Sequence, residues 1–179
     1  MRIGIRNTSM ESIDDPFYKN MVRAAFFAGT MAVCAWLAVP VSDIGLTMQT
    51  FGVFLALGLL GGKWGTVSIG IYLLMGLVGL PVFSGFRGGP GVLLGVTGGY
   101  LWGFLASGLL YWALERFGKL PAMIGGLLAC YACGTLWFLQ YSGGGFTFVI
   151  LRCVVPYLIP DGVKLCLAWS LSRRLYRHL

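Results

Sequence analysis

Residues 46–80 read LTMQTFGVFLALGLLGGKWGTVSIGIYLLMGLVGL, and this stretch decides the fold. Two apolar runs, 46–60 and 66–80, flank the tight turn Gly61-Gly62-Lys63-Trp64-Gly65. Neither run offers a charged face to water, and a helix that is apolar all round belongs in a large core or in a bilayer. Trp64 beside Lys63 suits the membrane–water interface, where amphipathic rings and cations gather. Composition carries the same message across the chain: 58% of its 179 residues are apolar and 11% charged, with a mean hydropathy of +0.82. Soluble domains run near 45–50% apolar and about 25% charged. Glycine, at 28 residues without a collagen-like period, fits close helix packing in a membrane.

Working outward, the expected spans are 22–39, stopping at Pro40; 46–60; 66–80, stopping before Pro81; 97–114; and 120–141. A span needs about 20 apolar residues. The Gly-rich stretch 81–96 reads as a loop, and Glu115 to Lys119 as a turn. The C-terminal stretch has two readings. In one, Phe146–Leu158 is short or re-entrant and the sixth span starts near Asp161 and ends at Arg173; in the other, a single long span starts at Phe146. The fold class expected is thus an all-α integral membrane protein, a compact bundle of six transmembrane helices. Residues 1–21 form a cytoplasmic tail and 22–179 a single membrane domain. No signal peptide is expected, because the first 20 residues are polar.

Positive charge orients the bundle. With both termini inside, Arg2, Arg6, Lys19, Arg23, Lys63, Arg116, Lys119, Arg173, Arg174 and Arg177 fall on the cytoplasmic side. Arg87 and Arg152 fall outside, and Lys164 falls within the membrane. The net charge of +7 is therefore a topology signal rather than a nucleic-acid footprint. Trp36, Trp64, Trp112, Trp137 and Trp169 lie near span ends, as an aromatic belt requires.

Enzyme chemistry finds no footing. The single histidine, His178, is penultimate; Cys130 and Cys133 form a CxxC with no second pair, so no zinc site is expected. Thr97-Gly98-Gly99 lacks the lysine of a phosphate loop. No cofactor is expected, and without an ATP site the chain must facilitate, couple to an ion or rely on an energising partner. An intramembrane enzyme acting on a lipid would need a catalytic constellation, and none is visible.

The informative residues are those out of place. Asp161 and Lys164, three apart on one helix face, and Arg87 on the outer side suggest an outward-facing polar pocket. A charge deep in a bilayer costs about 2.5–3.5 kcal/mol on insertion scales, and mutual neutralisation of Asp161 and Lys164 is the competing structural explanation. As a pocket, Arg87 and Lys164 suit a carboxylate, and Asp161 suits an N–H donor. Thr47, Gln49, Thr50 and Ser84 offer uncharged hydrogen bonds, while Phe83, Phe86, Tyr100 and Trp102 cover an apolar body. The ligand so described is a small amphiphile, carboxylate at one end and amide-like at the other. Alanines at four-residue spacing, Ala24, Ala28 and Ala32, mark either ordinary packing or a docking face for another membrane subunit.

Several motifs carry a resemblance. Leu46-Thr47-Met48-Gln49-Thr50, Gly79-Leu80-Pro81-Val82-Phe83 and the run Gly91 to Tyr100 resemble the BioY family, the biotin-specific substrate-binding (S) components of energy-coupling factor (ECF) importers. Pro156-Tyr157-Leu158-Ile159-Pro160-Asp161-Gly162-Val163-Lys164 resembles the family's Pro-Phe-x-x-x-Asp-x-x-Lys segment. The resemblance covers most of the chain beyond the N-terminal tail. Val96 stands where the family usually has proline, and Tyr157 where it has phenylalanine.

The resemblance implies high-affinity biotin binding and uptake across the bacterial cytoplasmic membrane. Asp161 would meet the ureido ring; Lys164 and Arg87 would hold the valerate carboxylate, with Ser84 carried over beside them. It also implies an EcfT-type membrane coupling subunit, docked on the alanines of the first span, and two EcfA-type ATPases that alone use ATP. A stand-alone facilitator and an S component for a different vitamin are the alternatives. Nanomolar binding, about −12 kcal/mol, asks roughly −0.8 kcal/mol from each of biotin's ~16 heavy atoms, inside the ceiling of about −1.5. Such efficiency requires an enclosed site, so loops Pro40–Leu46 and Pro81–Gly91 are expected to close over the ligand.

Overall fold

The computed structural model describes residues 16–39, 45–143 and 145–175. In chain order they form α1 (Pro16–Trp36), β1 (Ala38–Val39), β2 (Leu46–Thr47), α2 (Gln49–Leu77), α3 (Pro90–Leu93), α4 (Gly98–Leu114), a 3-10 turn (Glu115–Phe117), α5 (Lys119–Ser142), α6 (Phe146–Cys153) and α7 (Val155–Leu175). The protein is an all-α membrane bundle apart from the two-residue strands, which pair antiparallel as Ala38 with Thr47 and Val39 with Leu46. Among the described residues, Gln49–Leu77 taken as one run and Lys119–Ser142 are each long and apolar enough to cross a bilayer, and the bent pair α6–α7 is so only when counted as one span.

The 29-residue α2 is a hairpin rather than a rod. Gly61 takes φ 77°, ψ 174°, a region essentially reserved for glycine. Beyond it the chain runs back along itself: a Cβ on Gly65 would lie 2.8 Å from the Leu57 Cα. Gln49 and Tyr72, 23 residues apart, share a 2.7 Å hydrogen bond, whereas a straight helix would separate them by about 34 Å. The two arms, 49–60 and 62–77, occupy the runs expected as spans two and three, with the turn where the sequence puts it. Glu115 Oε2 accepts from the Gly62 N–H at 2.7 Å, and Lys119 Nζ donates to the Gly58 carbonyl at 3.0 Å. An anion thus faces the start of one arm and a cation the end of the other, as the helix dipoles favour.

These arms are short, about 18 and 24 Å against the ~30 Å hydrocarbon core. Away from Gly61 the first arm is preceded by β2 and the second continues into the irregular segment 78–97. Such backbone is tolerated at membrane depth only where protein satisfies its polar groups or a cavity borders it. Here aromatic side chains do so. Trp36 Nε1 donates to the Pro81 carbonyl at 2.9 Å, Tyr72 to Val82 at 3.1 Å, Trp102 to Leu93 at 3.3 Å, and Trp137 to Gly95 at 3.0 Å. Tyr141 donates to Leu94. Trp36 and Trp137, expected as belt residues, therefore also secure this segment. Phe83 plugs it into the bundle: its ring lies edge-on to Tyr72 at 5.5 Å and fills the space a Cβ on Gly76 would need.

The structure refines several expectations. Ala24, Ala28 and Ala32 are 0%, 0% and 4% exposed, packed between α1 and α2, with the Ala24 carbonyl accepting from Ser68 Oγ at 2.7 Å. In the chain by itself these alanines are thus packing residues. The last long helix begins at Val155, ahead of the Asp161 start expected for it, and carries Pro160 inside. Pro156 falls in its first turn, where proline is tolerated, and the hydrogen bond Pro160 forgoes would have gone to that same turn. Nor is 146–175 a single rod, since the chain bends by 41° between α6 and α7. The first helix starts at Pro16 rather than Val22, and the 81–96 loop contains the short α3.

The bundle separates charge along its axis. The Phe17 and Trp64 rings meet at 5.5 Å, a Cβ on Gly62 would meet Trp112, and one on Gly58 would meet Ser172. Lys19, Lys63, Arg116, Lys119, Arg173 and Arg174 therefore gather at one end with Pro16 and Leu175. Arg2, Arg6, Arg177 and His178 lie outside the described residues. Arg87 and Arg152 occupy the opposite end with the irregular segment.

Candidate ligand-binding site

A cavity of about 130 Å³ opens inside that opposite end. Its polar pole is built on α7. Asp161 and Lys164, one turn apart and 5% and 6% exposed, form an ion pair with Lys164 Nζ 2.8 Å from Asp161 Oδ1. Two further elements hold the pair. Tyr131 of α5 donates its hydroxyl to Asp161 Oδ2 at 2.8 Å. Lys164 Nζ donates to the Thr47 carbonyl of β2 at 2.7 Å. A lysine has three protons to donate and a carboxylate about four acceptor positions. One N–H and two acceptor positions thus remain after these contacts.

A second polar group comes from the first arm of α2. Gln49 donates to the Tyr72 hydroxyl at 2.7 Å while its Oε1 accepts from Thr47 Oγ1 at 2.9 Å. These bonds fix both ends of the amide, so its orientation is set by neighbours before any ligand arrives. Tyr72 in turn donates to Val82, tying this group to the irregular segment. The apolar wall combines Phe83 with Leu101 and Phe104 of α4 and Leu127 of α5. Tyr100 closes one side, its hydroxyl donating to the Cys153 carbonyl at 3.0 Å at the junction between α6 and α7.

All eight residues singled out for ligand contact, Gln49, Thr50, Phe83, Ser84, Arg87, Tyr100, Asp161 and Lys164, line this one cavity, as does Thr47. Arg87 is exposed at the mouth, its Nε donating to the Ser84 carbonyl of its own turn at 3.1 Å. Two expected lining residues lie elsewhere. Phe86 is 65% exposed and stacks on Trp36 at 5.1 Å, because the turn from Phe83 to Arg87 points it outward with φ 56°. Trp102 faces away and supports Leu93.

The residue reading missed Tyr131, Thr97, Leu127, Cys130 and Cys153, all of which line the cavity. Only Tyr131 left a signal: a phenol in mid-helix, far from either interface, requires a polar partner. Tyr157, noted as a motif departure, also lines the cavity. Its ring is therefore a wall residue.

Fold and site together define a class, a polytopic helical membrane protein enclosing a solute-sized chamber near one face. The BioY family model matches residues 6–179, and the chain belongs to that family. It is 36% identical over 162 residues to the biotin transporter BioY of Thermotoga maritima, an alignment covering 88% of this chain and 95% of that protein. It is 52% identical over 133 residues to the probable biotin transporter BioY of Methanothermobacter thermautotrophicus, covering 64% of this chain and 83% of that one. Among solved structures, the S-component for biotin from an ECF-type ABC transporter superposes with a TM-score of 0.84 at 27% identity. That superposition covers 92% of this chain and 94% of the other.

Proposed function

We propose that this protein captures biotin at the outer face of the cytoplasmic membrane as the substrate-specific subunit of an ECF-type importer. It is a multi-pass transport protein and not an enzyme. The observation that carries the reading is the buried Asp161–Lys164 pair, held by Tyr131 and Thr47 at the wall of the chamber. Biotin presents a ureido ring with two N–H groups and a carboxylate on an apolar chain. The free acceptor positions of Asp161 suit the ureido N–H edge. Lys164 lies 2.8 Å from Asp161 and therefore serves the same end of the ligand, its remaining N–H suiting the ureido carbonyl rather than the carboxylate expected for it. Arg87 suits the carboxylate, Gln49, Thr50 and Ser84 the remaining polar atoms, and Phe83 and Tyr100 the apolar body.

Arg87 supplies a means of closure. In its present position it bonds to its own turn, and a carboxylate inside the chamber offers the guanidinium a stronger, charge-assisted partner. Movement of Arg87 toward it would draw the 81–91 loop inward over the ligand. Residues 40–44 of the other expected closing loop lie outside the described residues. The basic end faces the cytoplasm with both termini. There an EcfT-type membrane subunit and two EcfA-type ATPases supply the energy, and this chain needs no cofactor of its own.

Calorimetric titration of biotin, desthiobiotin and biotin amide into the purified protein tests the reading. Nanomolar binding of biotin, weakened markedly in the amide, is expected. No binding by a folded protein overturns it. Uptake that persists in cells lacking the ATPases would instead make the chain a self-sufficient facilitator.

A further inference from the structure

An ion pair one helical turn apart has an obvious failing as a recognition device. Each charge is the other's best partner, and a carboxylate drawn toward an ammonium on its own helix has no reason to aim anywhere else. Asp161 is held differently. Its Oδ1 accepts a hydrogen bond from Lys164 Nζ at 2.8 Å, and its Oδ2 accepts one from the Tyr131 hydroxyl at 2.8 Å. The two donors come from different helices, so rotating the carboxylate breaks a bond at each oxygen. Lys164 is restrained in the same way by the Thr47 carbonyl. Tyr131 is itself 7% exposed and lines the chamber, leaving its hydroxyl little access to competing solvent.

From this geometry we infer that Tyr131 is a positioning residue for ligand recognition. Its hydroxyl fixes the Asp161 carboxylate so that the remaining acceptor positions face the N–H edge of the ligand. The inference rests on the biotin reading above, and it makes Tyr131 act through Asp161 rather than by separate contact. It also assigns the ligand's N–H groups, not its carboxylate, as the part that senses this tyrosine.

Calorimetry on wild type, Tyr131→Phe, Asp161→Asn and the double variant tests it, with biotin, biotin amide and a biotin methylated on a ureido nitrogen as ligands. Phenylalanine keeps the ring and removes only the donor. The expected result is a loss of biotin affinity of about fivefold or more, with a similar factor for the amide. Discrimination against the N-methylated ligand should shrink, which a general loosening of the bundle would not produce. In the Asp161→Asn background the same change should add less than about twofold, the non-additivity of residues acting as one unit. If Tyr131→Phe does not purify folded, Tyr131→Met removes the donor at similar volume and is read in the same way. Biotin binding by the donorless variant within about twofold of wild type overturns the inference, as does an equal loss with and without Asp161. In either case biotin binding by wild type still stands. Failure of folded wild type to bind biotin is a different result, which removes the functional reading and this inference together.

Discussion

Asp161 and Lys164 sit where ionised groups are least welcome, and each is kept there by a partner that would be stranded without it. Removing one member of a buried pair leaves an uncompensated charge, a loss of about 3–5 kcal/mol, whereas replacing both can be close to neutral. The two variants should therefore separate function from stability. Asp161→Asn and Lys164→Ala are each expected to weaken biotin binding by about tenfold or more, since a hydrogen bond to a charged group contributes about 1.5–3 kcal/mol. Wild-type affinity in both would remove these residues from the site. In thermal melts, Lys164→Ala should unfold earlier than the double variant Asp161→Asn/Lys164→Met, which leaves no unpaired carboxylate. The reverse order would mean that the pair is solvated by water in the chamber.

At the scale of elements, the hairpin α2 depends on one glycine and two caps. Gly61 carries a backbone conformation that costs other residues about 1–3 kcal/mol, and a Cβ there would point toward Glu115 Oε2 at 3.7 Å without collision. The penalty is thus conformational and not steric. Gly61→Ala is expected to lower the unfolding free energy by about that amount in a denaturant titration, with biotin affinity unchanged because the turn lies at the end away from the cavity. Glu115→Gln should give a smaller loss, reflecting the charge at the start of the second arm. A Gly61→Ala protein as stable as wild type would show that the turn relaxes into another conformation.

At the scale of the whole molecule, the partition of charge sets topology. By the positive-inside rule the end holding Lys63, Arg116, Lys119, Arg173 and Arg174 is expected in the cytoplasm, which would leave the cavity opening outward. An impermeant maleimide should label Phe86→Cys, exposed in the 81–91 loop, in intact cells, with biotin protecting it. It should label Lys63→Cys only after permeabilisation, the wild-type chain serving as the blank in both cases. Labelling in the opposite sense would invert the bundle. Absence of protection by biotin would argue against closure of the 81–91 loop.

Much of this was legible in the sequence because the signals are local. Apolar runs broken by Gly61-Gly62-Lys63-Trp64-Gly65 specify two helical arms and a turn, since burial in lipid and a tight reversal each need only neighbouring residues. Asp161, Lys164 and Arg87 stand out because a charge at membrane depth is costly wherever the chain later goes. What the sequence left undecided depends on the path of the chain. The alanines of α1 fit a partner or the protein's own α2 equally well by spacing, and only packing turned them inward. Tyr131 reaches Asp161 across 30 residues, and the Thr47 carbonyl reaches Lys164 across 117. Neither pairing has a period or motif to announce it. Sequence by itself determined that this protein lives in a membrane and which residues are too polar to be there by accident. Tertiary structure decided which groups hold them and toward what they point, because hydrogen-bond direction is fixed by the relative placement of helices that sequence periodicity does not specify.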